Sequence, residues 1–240
     1  MYAINYTKYC QGLIEKVKNN YWRVKKLSKL DFNKDIFYLV EKTKTTPIIV
    51  LRQKLKVLGY TNKQIKSIIN LNLSMIPNKL KDEVLLAIYN DPVYSPIGIK
   101  YFDALGREGE NIIKEWLESQ NITFKRDPRN SKTGMPDFVL EKKIQIFKHE
   151  VKWIESKCTY GDFIAQKNNF KQFTRFDDFF GNYGCIVYWF GYEKNNKFKK
   201  RLILTWNEML KLTPNFLHPR IKKLISEIPE EFEYLLIDIE

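Results

Sequence analysis

Residues 185–190 are six consecutive apolar residues, and this run limits the possible folds of the chain more than any other pattern in its sequence. A run without polar alternation predicts a strand that is buried on both faces, as in the interior of a sheet. The stretch that ends near Phe180 carries phenylalanines at helical spacing, and residues 181–184 end that predicted helix with two glycines. Residues 201–206 predict a further strand after a turn at residues 195–196. We therefore expect a mixed sheet with helices packed on it, which is an α/β or α+β fold.

The region before this run predicts a hairpin. A short strand around residues 122–125 leads into a polar loop, and a second strand covers residues 138–140. A tight turn is predicted at residues 142–143, followed by a long third strand over residues 144–157. The remaining elements predicted for this half are helices at 97–105, 107–119 and near 219–226, and a last strand at 234–239.

The first half of the chain has a helical pattern. Apolar residues recur at spacings of three and four over residues 2–41, which predicts a helix. Residues 46–47 are Thr-Pro, an N-cap followed by proline at the first helical position, and that helix is expected to stop at Gly59. Thr61 is expected to cap the next helix, and another helix covers residues 77–90. The first two of these helices and their short turn have the proportions of a helix-turn-helix, whose second helix can enter the major groove.

Lys63 and Lys66 lie on that second helix and are the predicted DNA contacts. The alternative is an ordinary helical hairpin with a lysine-coated solvent face. Charge favours DNA as the partner: the chain has a net charge of +13, and residues 1–92 hold 17 basic and 7 acidic residues. Because prolines 92 and 96 interrupt the helical pattern, we expect a basic helical domain over residues 1–92 and a second domain over residues 93–240.

Cysteine and histidine usage excludes two classes of protein. The three cysteines have no CxxC spacing and there are only two histidines, so neither a disulfide framework nor a zinc site is expected. No apolar run approaches the roughly 18 residues of a membrane span, and the N-terminus lacks the apolar core of a signal peptide. We expect a soluble intracellular protein, cytoplasmic or nuclear, with no membrane association.

The chemistry-bearing residues lie between positions 106 and 157. An acidic helix is followed by Asp137, which enters the second strand of the hairpin, and by two Glu-x-Lys tripeptides in the third strand. Side chains alternate faces along a strand, and the odd positions of the third strand, including Phe147 and Trp153, form its apolar face. Glu155 and Lys157 continue that face, whereas Glu150 and Lys152 lie on the other. A buried carboxylate and lysine require a functional or pairing reason, so the second tripeptide is the candidate.

An acid on a helix, an aspartate and Glu-x-Lys on a paired strand are typical of metal-dependent phosphodiesterases of the PD-(D/E)xK class. Asp137 and Glu155 are the expected ligands of Mg²⁺, for which Mn²⁺ can substitute, because these ions prefer oxygen ligands. Lys157 can hold the attacking water or stabilise charge that develops on the phosphate. One acid of the preceding helix completes the site, and periodicity leaves Glu108 and Glu110 both open.

Short pieces of the sequence also match a known group of proteins. The most specific are Trp-Ile-Glu-Ser-Lys at 153–157 and Tyr-Trp-Phe-Gly at 188–191. The second of these belongs to a longer match at 187–192, and the other pieces lie at 88–91, 94–96, 106–110, 136–140 and 160–162. Together they resemble the TPD-motif or codanin-interacting nuclease family of archaea and eukaryotes, within the PD-(D/E)xK superfamily. The resemblance runs in order from about residue 85 to residue 206.

The resemblance implies a restriction-endonuclease-like core behind an N-terminal helical region that bears the helix-turn-helix. It implies a catalytic site of Glu110, Asp137, Glu155 and Lys157, with the three acids as metal ligands, and so selects Glu110 over Glu108. Met135 stands where the motif of the family has threonine, a departure that concerns capping or packing more than metal binding. A codanin-like protein is the partner that the resemblance implies.

The leading hypothesis is a Mg²⁺-dependent DNA endonuclease that hydrolyses phosphodiester bonds with metal-activated water, with branched or structured DNA among its candidate substrates. A non-catalytic DNA-binding or scaffold protein that keeps the nuclease fold is the alternative. A Holliday-junction resolvase is a third reading, which requires a two-fold dimer. The sequence leaves monomer and homodimer open. Gln166 and Gln172 on the helix after Lys157 are either phosphate or water contacts or solvated helix residues.

Overall fold

The computed structural model describes residues 2–126, 134–194 and 201–236. The contacts of the chain divide it into two compact units. The sheet unit comprises Met1–Thr7 and Ala104–Glu227, and the helical unit comprises Lys8–Asp103 and Ile228–Glu240. The domain division between residues 92 and 93 stays a prediction. None of the helices in the described parts of the chain has the length and apolar character that crossing a bilayer requires.

Helices α1 to α6 cover most of the first 119 residues. Their bounds are α1 Tyr2–Lys25, α2 Ile36–Thr43, α3 Pro47–Val57, α4 Asn62–Ile69, α5 Asn78–Tyr89 and α6 Pro96–Ser119. The prediction of one helix over residues 2–41 is wrong, because the chain breaks between α1 and α2. There Asp31 accepts hydrogen bonds from the amide and hydroxyl of Ser28, and Asp35 caps α2. Short polar side chains that bind nearby amides compete with the helix, and hydrophobic periodicity does not detect them.

The helix pair predicted around residues 46–69 is confirmed. Pro47 occupies the first turn of α3, and the turn after α3 contains Gly59 at a φ of +94°. Thr61 caps α4 in a reciprocal capping box with Gln64. The third predicted helix corresponds to α5. The buried side chains that these helices share are Ile48, Leu51, Leu55, Ile68, Val84 and Ile88.

Asp91 is a buried carboxylate that organises the helical unit. It accepts hydrogen bonds from the amides of Ile48 at 3.0 Å, Val93 at 3.0 Å and Tyr94 at 2.8 Å. The side chain of Thr46, the N-cap residue of α3, makes no capping hydrogen bond. Asp91, which lies 43 residues further along the chain, instead accepts from the amide of Ile48 in the first turn of α3. Burial raises the pKa of Asp91, and the amide bonds oppose that rise.

We expect Asp91→Ala to lower the free energy of unfolding by about 2 kcal/mol, because three buried amides lose their acceptor. Asp91→Asn keeps one acceptor oxygen and is expected to cost less. Asp82→Ala on the exposed side of α5 is the matched control and is expected to stay within about 0.5 kcal/mol of the wild type. Urea unfolding checks the series, and equal midpoints for Asp91→Ala and the control would contradict the assignment.

A single helix, α6, replaces the two helices predicted at 97–105 and 107–119. The hydroxyl of Ser95 accepts a hydrogen bond from the amide of Gly98 at 3.1 Å where α6 begins. Gly106 does not interrupt the helix, since glycine inside a helix costs only about 1 kcal/mol relative to alanine. Continuous packing of one apolar face outweighs that cost; the buried residues of this face are Leu105, Ile112, Ile113, Trp116 and Leu117.

The sheet unit is built on a five-stranded mixed sheet in the order β1-β2-β3-β4-β5. Its strands are β1 Phe124–Arg126, β2 Phe138–Ile146, β3 His149–Lys157, β4 Gly184–Tyr188 and β5 Leu202–Thr205. The first three strands pair antiparallel, and β3, β4 and β5 pair in parallel. The flanking helices are α7 Phe163–Phe180, α8 Trp206–Leu212 and α9 His218–Ser226. This arrangement confirms the mixed sheet flanked by helices, with β4 buried in its interior as predicted.

The hairpin turn and the last strand differ from the prediction. Residues 142–143 lie inside β2, and the chain turns instead at Phe147, which has a φ of +51° and is 51% exposed. A register shift between Val139 and Ile144 lets β2 continue past the lysines. Residues 230–236 form a 3₁₀ helix where a strand was expected from 234, and the rest of that prediction lies outside the described residues. The turn predicted at residues 195–196 also lies outside them.

Trp153 is the centre of the packing between the sheet and α7. It is fully buried and contacts Phe173 and Phe176 of α7, with a centroid separation of 5.3 Å to the Phe176 ring. Its indole donates a hydrogen bond to the carbonyl of Gly181 at 3.2 Å. Because side chains alternate along a strand, this packing directs Glu155 and Lys157 toward the same face as Trp153. The hydrophobic core therefore orients the candidate site.

Candidate active site

Asp137 and Glu155 are held together at the end of the β2–β3 hairpin. The two strands pair with Phe138 opposite Ile154, so the residues just before β2 lie beside the end of β3. The amide of Asp137 donates to Oε2 of Glu155 at 3.0 Å, and the amide of Ser156 donates to Oδ2 of Asp137 at 2.8 Å. Reciprocal bonds to backbone amides hold both carboxylates without relying on a flexible side chain.

Glu155 is the buried carboxylate of the site, with 3% of its surface exposed. Its Oε1 accepts hydrogen bonds from Nζ of Lys157 at 2.6 Å and from Nε2 of Gln172 at 3.1 Å. Nζ of Lys157 also lies 3.4 Å from Oε1 of Gln172. A buried charge requires such partners. The arrangement keeps the lysine, which is half-buried, at a defined distance from the two acids.

The other Glu-x-Lys tripeptide has a different environment. Glu150 is exposed and pairs with Lys143 at 3.4 Å, and Lys152 donates to the carbonyl of Glu141 at 2.9 Å. Exposed pairs of this kind contribute little and need no functional reason. The two tripeptides thus lie in the environments that strand alternation predicts for them.

Burial and the neighbouring Glu155 carboxylate raise the pKa of Asp137 to about 7. The amide of Ser156 and the charge of Lys157 oppose the rise, and the charge of Glu110 adds to it. Burial of the carboxyl is thus the main cause of the raised pKa, and the neighbouring carboxylates add to it.

The two acids of α6 are held by different partners. Glu110 accepts from Nη2 of Arg126 at 2.6 Å, and its charge acts on Asp137. Glu108 pairs instead with Arg220 of α9 at 2.6 Å, in a cluster that includes Glu115. Of these two acids, Glu110 is therefore the one whose charge raises the pKa of Asp137.

Gly109 allows α6 to approach the end of the sheet. A Cβ at this position would lie 2.5 Å from Nε1 of Trp189 and 2.7 Å from Sγ of Cys158. The same indole nitrogen donates to the hydroxyl of Ser156 at 2.9 Å. The distance between the Glu110 backbone and the end of β3 therefore depends on the absence of a side chain at residue 109.

We expect Gly109→Ala to lower the free energy of unfolding by about 1–3 kcal/mol, because the new methyl overlaps Trp189 and Cys158. Gly106→Ala on the same helix is the matched control, since a Cβ there meets nothing within 4 Å. The control is expected to stabilise α6 by about 0.5–1 kcal/mol. Thermal unfolding of both variants checks the sign, and stabilisation of both would contradict the close approach.

Sequence reasoning missed two contacts of the site. Arg126 ends β1 and neutralises Glu110, and Trp189, interpreted only as core, binds Ser156. Gln172, one of two glutamines considered, contacts Glu155 and Lys157. Gln166 is instead buried and donates to the carbonyls of Gly161 and Glu193. No local sequence signal distinguishes these roles, because every partner except Gly161 is at least 15 residues away in the chain.

The carboxylate oxygens of Asp137 and Glu155 are suitable ligands for a divalent cation, although the side chains are not arranged in a complete coordination site. Over residues 2–126, 134–194 and 201–236, no group of three His, Cys, Asp or Glu side chains is arranged to hold a metal ion. Arg126 engages Glu110, and Lys157 engages Glu155. Two adjacent carboxylates are nevertheless the oxygen ligands that Mg²⁺ and Mn²⁺ prefer. Burial is the main cause of the raised pKa of Asp137, and the charges of Glu155 and Glu110, which a bound cation would offset, add to it.

Lys63 and Lys66 lie on α4 in the helical unit, and both are exposed. Lys66 also lines a cleft of about 830 Å³ together with residues of α1 and α3, and Lys63 does not. The two predicted DNA contacts therefore have different surroundings on one short helix.

Comparisons with known proteins point to one family. The family described as "Protein of unknown function TPD sequence-motif" matches residues 77–208, which is more than half of the chain. No solved structure gives a match.

Curated relatives carry the name "CDAN1-interacting nuclease 1". The chain is 33% identical to the Xenopus laevis protein over 126 residues, which is 50% of this chain and 41% of that protein. It is 33% identical to the Homo sapiens protein and 32% identical to the Bos taurus protein, each over 135 residues, 53% of this chain and 48% of the relative. The match thus spans less than half the length of these relatives, which are named as nucleases and as partners of CDAN1.

Proposed function

This chain belongs to the TPD sequence-motif family, and from that premise we propose that it is a metal-dependent DNA endonuclease of the PD-(D/E)xK type. Relatives named as nucleases support the nuclease activity. The restriction-endonuclease-like assignment is supported by the order of the acid-bearing helix, the hairpin and the parallel strand that follows it.

The observation that carries the proposal is the linked arrangement of Asp137, Glu155 and Lys157. Glu155 accepts from the amide of Asp137 at 3.0 Å, and Asp137 accepts from the amide of Ser156 at 2.8 Å. Nζ of Lys157 lies 2.6 Å from Oε1 of Glu155. Functional sites often bring together a buried acid, a carboxyl with a raised pKa and an ammonium, and here the three groups lie at the start of β2 and the end of β3.

Asp137 and Glu155 would hold the cation, with Glu110 as the third acid of the site. A bound Mg²⁺ or Mn²⁺ supplies activation of water and neutralisation of charge on the phosphate. Lys157 donates to the attacking water or to a phosphate oxygen, and Gln172 keeps its ammonium oriented beside Glu155. Trp153 and the aromatic residues of α7 that pack on it form an apolar base beneath the site.

DNA is the proposed substrate because of charge. The excess of basic residues lies in the first 92 positions, and α4 presents Lys63 and Lys66 to solvent. We also propose that this chain binds a codanin-like protein where one exists, on the basis of the printed name of its relatives.

Cleavage of end-labelled single-stranded, duplex, flapped and four-way-junction DNA, and of matching RNA, tests the proposal in the presence of Mg²⁺, Mn²⁺ or EDTA. Cutting that requires a divalent cation supports the nuclease, and the preferred substrate defines its class. Symmetric cutting of the four-way junction would favour a resolvase and predicts a dimer in solution. Tight DNA binding without cutting of any substrate would favour a non-catalytic binding or scaffold protein.

A further inference from the structure

The cleft in the helical unit combines positive charge with concavity. It lies between α1, α3 and α4, and its volume of about 830 Å³ is in the range of pockets that accept small ligands. Lys18, Arg52, Lys56 and Lys66 line it, and no Asp or Glu is found among its described lining residues. A concave surface lined by one sign of charge concentrates its field and attracts an anion.

Three of the four cations are available to a ligand. Lys18 pairs with Glu15 on the same helix at 2.6 Å, an exposed pair that contributes little. Arg52, Lys56 and Lys66 are exposed, and the ion pairs formed among the described residues include none of them. An anionic ligand in the cleft would supply the counter-charge that these three side chains lack among the described residues.

The cleft also offers apolar and aromatic surface. Val17 and Ile65 form part of its lining, and Tyr21 lies on it with 42% of its surface exposed. Bases in a duplex are covered by their stacked neighbours, whereas unpaired bases can stack on aromatic side chains while basic groups bind the phosphates.

We propose that this cleft binds single-stranded nucleic acid, with phosphates on Arg52, Lys56 and Lys66 and a base against Tyr21. The inference deepens the proposed function, on which it rests for the identity of the polyanion. Lys66 then contacts an unpaired strand in the cleft, whereas Lys63, on the same helix, does not line the cleft.

Fluorescence anisotropy of the 240-residue chain in EDTA measures binding separately from cleavage. The ligands are a labelled oligothymidylate of about 12 nucleotides, an abasic strand of the same length and a duplex of the same length. The oligothymidylate is expected to bind at least about fivefold tighter than the other two. Tyr21→Ala is expected to weaken its binding by about 5- to 100-fold and to leave the abasic strand unaffected, whereas Tyr21→Phe keeps the affinity.

Charge variants test the phosphate contacts. Arg52→Ala, Lys56→Ala and Lys66→Ala are each expected to lower the slope of log affinity against log salt by about 0.7 for the single strand. Lys79→Ala, at an exposed lysine of α5 outside the cleft, is the control and is expected to leave single-strand binding unchanged. Equal or tighter duplex binding, no effect of Tyr21→Ala, or an equal effect of Lys79→Ala would overturn the inference. If the chain binds single strands as described but shows no metal-dependent cleavage, the proposed binding in the cleft would be supported and the proposed nuclease activity would be rejected.

Discussion

The Glu155→Gln variant is expected to lose metal-dependent cleavage by about a thousandfold or more, while it stays folded and binds DNA. Glutamine keeps the size of the side chain but removes the charge that pairs with Lys157 at 2.6 Å and that would bind the cation. The one amide oxygen can accept either from the amide of Asp137, in the place of Oε2, or from Gln172, in the place of Oε1, and the unchanged size of the side chain retains the packing beside Trp153. Gel analysis of labelled DNA, with circular dichroism for folding and anisotropy for affinity, separates the three properties.

Glu150→Gln is the matched control for this prediction. Glu150 belongs to the exposed Glu-x-Lys tripeptide five residues earlier on β3, and its change removes the same charge from the same strand. Cleavage by this variant is expected to equal that of the wild type. Asp137→Ala is expected to behave as Glu155→Gln does. Full cleavage by both Asp137→Ala and Glu155→Gln would reject this site.

In EDTA, the wild-type protein is expected to lose stability as the pH rises through the range from about 4 to about 7, and Asp137→Asn is expected not to. The pKa of Asp137 is about 7 in the folded chain, compared with an ordinary value of 3.8. The folded state therefore binds the proton of Asp137 more tightly than the unfolded state does. The protonated Asp137 contributes its full stabilisation below the unfolded-state pKa, and this stabilisation is lost as the pH rises through the folded-state pKa. The loss amounts to at most about 4 kcal/mol.

A divalent cation is expected to reverse that loss. At pH 8 the Asp137 carboxylate is charged, so Mg²⁺ or Mn²⁺ at about 100 times its dissociation constant should stabilise the wild type by about 2.7 kcal/mol. At pH 5 the gain should be smaller, because the proton competes with the cation. Asp137→Asn should gain little at either pH, and Asp178→Asn, at an exposed position of α7, should respond as the wild type does. Equal stabilisation of both variants would argue against Asp137 as a ligand.

Elements with local signals were predicted well from the sequence. Pro47 at the start of α3, the capping box of Thr61 and Gln64, and the apolar run of β4 each act within a few residues. The break between α1 and α2 was missed, and the turn predicted at residues 142–143 was wrong because those residues lie inside β2. In the first case Ser28 and Asp31 form a local alternative to the helix, and in the second a register shift accommodates two lysines that resemble a turn.

The identities of the paired carboxylates and the lysine follow from the sequence, because strand alternation and a buried tryptophan assign Glu155 and Lys157 to one face. The partners of those groups were decided by the tertiary structure alone. Arg126 reaches Glu110 across 16 residues, Gln172 reaches Glu155 across 17, and Arg220 reaches Glu108 across 112. Such contacts depend on strand register and on the approach of α6 at Gly109. The packing of distant segments determines both, and no local preference of the chain encodes them.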